Sequence, residues 1–180
     1  MITPQTELQL DAWHDFYVMI GTSAGALVGA TFVVATLAGN IEKRVLGIRG
    51  FITPATVHLG SALIGSAILM VPTLTALFVA LLLGVGGLAG VVYGVIVYFR
   101  VTKLNIDMID RFWYGIFPVL MYALLGVSAY LVFQDVDHGL ELIAAALVAL
   151  LVIGMRNAWD MATFMILGGP GSADNDPTKQ

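Results

Sequence analysis

Few residues in this chain could do chemistry, and their spacing limits what that chemistry could be. His58 is the ionisable group set furthest into an apolar run, with Ser61 and Gly65 on the same helical face. A neutral histidine with one partner is affordable about a turn inside a membrane helix, and a histidine is also the side chain that titrates near neutral pH. It therefore reads either as a structural hydrogen-bonding group or as a proton-sensitive one. Arg156 and Asp160 stand four apart in "GMRNAWDMATFMI" and can pair on one helix face. Six of the twelve acids gather in two places: Glu7, Asp11 and Asp15 near the beginning, and Asp135, Asp137 and Glu141 later on.

The usual catalytic constellations do not form. There is no cysteine, which removes disulfides, thiolate metal sites and cysteine nucleophiles together. Ser23 and Ser61 have no evident base and orienting acid. No His/Glu group has metal-ligand spacing, so no metal and no cofactor is expected. Gly84 to Gly94 is glycine-rich but lacks the Lys and Ser/Thr that a phosphate loop needs. The basic residues are few and scattered, which argues against nucleic acid as a partner. An enzyme is not expected.

The elements that must position these groups are helices in lipid. The 180 residues are 59% hydrophobic and 11% charged, with a mean hydropathy of +0.92. A soluble domain is about a quarter charged. So apolar a chain cannot hide its surface within one small globule, and the lipid bilayer is its expected solvent. Five segments approach the ~20 apolar residues of a crossing: 16–38, 53–71, 74–99, 113–133 and 139–155. The block from 51 to 99 is too long for one pass, and Val71-Pro72-Thr73 is the expected reversal. Thr53-Pro54 reads as a helix start, a capping hydroxyl followed by proline. Ahead of the first span, "TPQTELQLDAWHD" has the spacing of a short helix lying on the outer surface. After the fifth span the pattern runs on along the interface to about 167. Residues 1–168 then form one transmembrane domain, and 169–180 form a tail with nothing to bury. The start has no basic leading segment, the first Lys or Arg being Lys43, so a cleavable signal is not expected.

With five crossings the charges separate. Lys43, Arg44, Arg49, Arg100, Lys103, Arg111, Arg156 and Lys179 fall on one side, and the other side holds those six acids and no Lys or Arg. The positive-inside rule then puts the N-terminus outside and the C-terminus in the cytoplasm. Trp13, Phe16 and Tyr17 belong to the outer interface, and Tyr98, Phe99, Phe112, Trp113 and Tyr114 to the inner one. Arg156 and Asp160 are thereby placed as an interfacial pair, whereas a fifth span over 145–167 would bury both charges in the membrane and require them to pair.

Glycine recurs every fourth residue at Gly21, Gly25 and Gly29, and again at Gly86, Gly90 and Gly94. In lipid such rows let backbones approach. They serve helix packing within the chain, or they meet their copies in a neighbouring subunit. Thr22, Gly25, Gly29 and Thr36 share one arc of the first span. That arc could line a watery path, or its hydroxyls could bond back to their own helix.

The opening "WHDFYVMIGTSAGALVGATFVVATL" resembles the start of a loose group of small bacterial multi-spanning membrane proteins, in which a Trp-His-Asp-Phe-like entry leads into a small-residue first span. The resemblance covers residues 13–37 and implies a bacterial inner (plasma) membrane, with no substrate and no functional residue carried over.

The expected protein is all-α, an integral bundle of five transmembrane helices that forms a homo-oligomer. Its leading function is a pore for ions or small solutes, with cations favoured. Gly21, Gly25, Gly29, Thr36 and His58 mark the candidate path, and Asp11, Asp15 and Glu141 the outer mouth. Gly86, Gly90 and Gly94 mark helix packing. The alternative is an accessory protein that binds another membrane protein, and a small secondary transporter is a third reading.

Overall fold

The computed structural model describes the backbone of residues 4–38, 45–72, 74–101 and 108–167. It describes side chains within 12–36, 54–72, 74–100, 108–160, 162 and 163. The described residues are helical apart from short corners. The elements are α1 (Pro4–Ala38), α2 (Val45–Leu69), α3 (Ala76–Val101), α4 (Met108–Arg111), a π turn (Phe112–Ile116), α5 (Phe117–Phe133) and α6 (Gly139–Leu167). Four helical stretches are long and apolar enough to cross a membrane: Ala12–Thr36, Ala76–Arg100, Met108–Phe133 and Gly139–Asp160. Pro54–Leu69 is apolar but shorter than a crossing. Residues 39–44, 102–107 and 168–180, with Lys43, Arg44, Lys103 and Lys179 among them, lie outside the description, as do the side chains of Asp11 and Arg49.

Several helix boundaries differ from those expected. The first helix starts at Pro4 and runs unbroken into the apolar segment, so no separate surface helix precedes it. Nothing between Asp11 and Tyr17 is a glycine or proline that would break it. The second helix begins at Val45, and Pro54 lies in its interior. Proline removes one backbone donor but does not force an end when neighbouring turns hold the helix. The expected loop 39–52 is thus helical from Val45 on. The chain reverses between Leu69 and Ala76, with Thr73 itself outside the description.

The π turn also has a local cause. Pro118 has no N–H to give to the carbonyl four residues back, and the N–H of Phe117 instead bonds to the carbonyl of Phe112, five residues back. This widened turn buries Tyr114 and Gly115, and Gly115 comes close to the Tyr98 ring on α3.

Neighbouring helices run antiparallel, as shown by which residues a glycine side faces. Gly21 faces Ser66 and Gly25 faces Leu63, which sets α1 against α2. Gly65 faces Leu147 and Gly154 faces Leu59, which sets α2 against α6. Gly87 faces Gly126 and Gly94 faces Val119, which sets α3 against α5. Tyr114 on the π turn reaches Asp160, and Gly139 meets Val132, so α5 and α6 are antiparallel too. The lateral order is α1, α2, α6, α5, α3, with α1 also touching α6 and α3 leaning on α5 rather than α2. α6 is the central rod: 50% of its apolar window is buried, against 17% for α1. Leu147, Leu150 and Ile153 of α6 join Tyr17, Leu59 and Tyr122 in the core. At the corner before α6, Asp135 and His138 take positive φ angles of 55° and 70°.

This arrangement gathers the described acids Asp15, Asp135, Asp137 and Glu141 at one end of the bundle, and Arg100, Arg111 and Arg156 at the other. Asp110 and Asp160 share the basic end.

The seam between α3 and α5 makes a direct test. A Cβ at Gly87 would lie 2.8 Å from the Gly126 amide nitrogen and 2.9 Å from the Tyr122 carbonyl oxygen, both rigid backbone. A Cβ at Gly86 would meet nothing within 4 Å. Gly87→Ala should therefore cost about 1–3 kcal/mol through overpacking, and Gly86→Ala should stay within about 0.5 kcal/mol of wild type. Thermal melting of both variants in lipid nanodiscs checks this, and equal melting would show that the seam is not tight.

Candidate functional site

The residues with chemical potential form two clusters in the basic half of the bundle. The first joins α2 to α5. His58 Nδ1 lies 3.0 Å from the Tyr122 hydroxyl, and that hydroxyl lies 2.9 Å from Ser61 Oγ. Ser61 Oγ also donates to the Val57 carbonyl at 2.8 Å. His58 is 1% exposed, and the Tyr93 ring of α3 meets its imidazole edge-on at 6.3 Å. α2 presents His58 and Ser61 together because they are three residues apart on one face. Tyr122 reaches them because Gly90 of α3 leaves room for its ring on the other side.

The hydrogens in this cluster can be counted. With Ser61 donating to Val57, its oxygen must accept from Tyr122, and Tyr122 must in turn accept from His58 Nδ1–H. The result is a directed chain, His58 to Tyr122 to Ser61 to Val57, with every donor used. Reversing it requires the other imidazole tautomer and detaches Ser61 from Val57. The cluster is thus a satisfied polar network in an apolar bundle, which fixes the approach of α2 and α5.

The second cluster closes the basic end. Arg156 on α6 lies 3.6 Å from Asp110 and 3.8 Å from Asp160, and its guanidinium sits 4.7 Å from the centre of the Trp113 ring. The Tyr114 hydroxyl donates to Asp160 at 2.5 Å. The pair expected from sequence is present, with both side chains about one third exposed. What the sequence did not reveal is that Arg156 is shared with Asp110, two helices away. Next to it on α6, Asn157 is fully buried, and neither side-chain atom has a hydrogen-bond partner among the described residues.

The remaining sequence candidates do not converge. Gly21 and Gly25 pack on α2, the former against Ser66 and the latter at van der Waals contact with Leu63. Gly29 meets nothing within 4 Å, and Thr36 is exposed and bonded to its own Phe32 carbonyl. His58 faces α5, so it is not brought together with the α1 row. Gly90 and Gly94 pack on α5 while Gly86 does not, its place in the seam being taken by Gly87. At the acidic end, Asp15 and Glu141 are exposed. Glu141 lies 3.7 Å from His138, and Tyr17 donates to the Leu140 carbonyl at 3.3 Å, tying α1 to α6 there.

No family model, no curated protein and no solved structure matches this chain. What its own geometry defines, among the described residues, is an all-α bundle with four helices long and apolar enough to cross a membrane and with polar clusters between them.

The network predicts unequal costs. Tyr122→Phe strands the His58 donor in an apolar setting and should cost about 1–3 kcal/mol. Ser61→Ala leaves the His58–Tyr122 bond in place and should cost less. Asn157→Leu removes two unpaired polar atoms and should leave stability unchanged or raise it. Thermal melting of the three variants in nanodiscs ranks them; an Asn157→Leu variant that unfolds would mean the amide is paired after all.

Proposed function

We propose that the chain assembles into a homo-oligomeric pore for ions or small solutes, cations favoured, in a bacterial inner membrane. In this reading all five long helices cross the bilayer, α2 included, with the acidic end outside and the basic end in the cytoplasm. The observation that carries it is the state of α1. Gly21 and Gly25 are covered by α2, but Gly29 faces open space and Phe32 and Val33 are exposed. In lipid a bare glycine flank on an otherwise apolar rod is a surface on which another helix packs closely. A ring of copies joined there would gather several sets of Asp15, Asp137 and Glu141 around one axis, which concentrates cations and repels anions.

One observation favours the accessory reading as a second. His58 is held between Tyr122 and the Tyr93 ring of α3, so within a single chain it serves helix packing. A non-conducting chain could use the same α1 flank to bind a different membrane protein. The transporter reading gains no such support.

Purified protein in planar bilayers separates the two. The pore reading expects saturable, cation-selective currents that fall at least several-fold in Gly29→Leu, with native mass showing loss of the oligomer. Silence from an intact oligomer removes it in favour of the accessory role. The topology is tested in cells with single cysteines, since the chain has none of its own. Asp137→Cys should react with an impermeant maleimide from outside, and Ile109→Cys only after the cells are opened.

A further inference from the structure

α2 and α3 follow one another in the chain but scarcely touch, because α3 lays its glycine face on α5. The gap between them is a cleft of about 130 Å³ lined by Ser61, Leu83, Gly86, Tyr122 and Leu125 among others. Its rim carries Ile64 and Leu82, both exposed on the outer surface of the bundle, so it opens sideways rather than toward either end. The lining is apolar except where the hydrogen-bond chain described above surfaces at Ser61 and Tyr122.

We propose that this cleft binds the ring of a neutral, lipid-soluble carbonyl compound of quinone type. Three observations define that occupant. The first is size: an apolar cavity of about 150 Å³ accepts one benzene ring, so a cleft of about 130 Å³ seats a single six-membered ring and little more. The second is the hydrogen count. The chain from His58 through Tyr122 ends in a Ser61 O–H spent on the Val57 carbonyl. That carbonyl already serves as a helical acceptor, so turning the hydroxyl away from it leaves no orphan. Ser61 can then donate to a ligand oxygen while still accepting from Tyr122. The site therefore offers a donor and selects an acceptor.

The third is depth. Ser61 is eight residues before Leu69, about 12 Å along the helix axis. With a hydrocarbon core of ~30 Å, that is near the bilayer middle once α2 spans it. Phospholipid ester carbonyls stay at the interface and do not reach this level. A ring carbonyl on a compound dissolved in the bilayer does, and its tail can leave between Ile64 and Leu82 into lipid. The inference depends on α2 lying in the bilayer and is independent of whether the oligomer conducts.

The test uses the full chain in phosphatidylcholine nanodiscs with a decyl-substituted benzoquinone as probe, followed by quenching of tyrosine fluorescence. Saturable quenching is expected, weakened about tenfold by Ser61→Ala, the loss of one good hydrogen bond. Gly86→Leu should abolish it, since Gly86 lines the cleft and a Cβ there would enter open space. Both variants are to be compared well below their melting temperatures, where they remain folded; if Gly86→Leu misfolds, Leu82→Phe at the rim replaces it. Decylbenzene, which has the ring but no carbonyl, should compete at least tenfold more weakly. Quenching that rises linearly and equally in wild type and in the filled-cleft variant means partition into lipid, and it overturns the site. Equal competition by decylbenzene overturns the carbonyl selection.

Discussion

The bundle depends on one constraint: in lipid, apolar side chains gain little by meeting one another, so helices stay together where backbones can touch or polar groups must be paired. The α3–α5 seam is the backbone case. At Gly87 the chains approach so closely that a methyl group would press on the Gly126 amide and the Tyr122 carbonyl. That contact decides more than one interface. By committing α3 to α5, it pulls α3 away from its sequence neighbour α2 and leaves the lateral cleft between them.

The polar case sits on the other side of the same residue. Tyr122 packs its ring against the space left by Gly90 and sends its hydroxyl to His58 and Ser61. A single side chain thus links α3, α5 and α2, and its two ends obey different rules: steric room for the ring, hydrogen-bond completeness for the hydroxyl. α6 is held at the basic end by Arg156, which shares two carboxylates and the Trp113 face rather than one partner. Partly exposed ion pairs contribute little individually, but a cation fixed from three directions sets the rotation of α6. That rotation turns Leu147 and Gly154 toward α2.

Much of this architecture was legible in the residue pattern because it rests on composition and punctuation. Long apolar runs, the proline at the corner and the separation of acids from bases are one-dimensional signals, and the helices and the two charged ends follow them. Helix boundaries near Pro54 and Trp13 were less legible. Proline and capping signals describe an isolated helix, whereas α2 carries on through Pro54 and α1 runs unbroken from Pro4. The glycine rows were legible as packing surfaces but not in register. Period four marks Gly86, Gly90 and Gly94, while the seam uses Gly87, Gly90 and Gly94, since a helix repeats at 3.6 residues and its contact stripe drifts.

The site was the least legible part, for a physical reason. His58 and Ser61 stood out through their spacing, but their function as a pair is set by Tyr122, 64 residues away from His58. An aromatic residue in an apolar run carries no sign that its hydroxyl will be needed. The same holds for Asp110 and Arg156, which are brought together only when α4 and α6 come level at the basic end. Local spacing can nominate a polar group in a membrane helix, because burying it alone is costly. It cannot nominate the partner, and in this bundle the partner decides whether a group lines a path or closes one. The α1 hydroxyls illustrate the point in reverse: Thr36 stood on the nominated path, yet it bonds to its own Phe32 carbonyl and asks nothing of another helix. The polar groups that tie the helices together are therefore those whose needs extend beyond their own helix: His58 and Ser61 meet at Tyr122, and Arg156 meets Asp110 at the basic end.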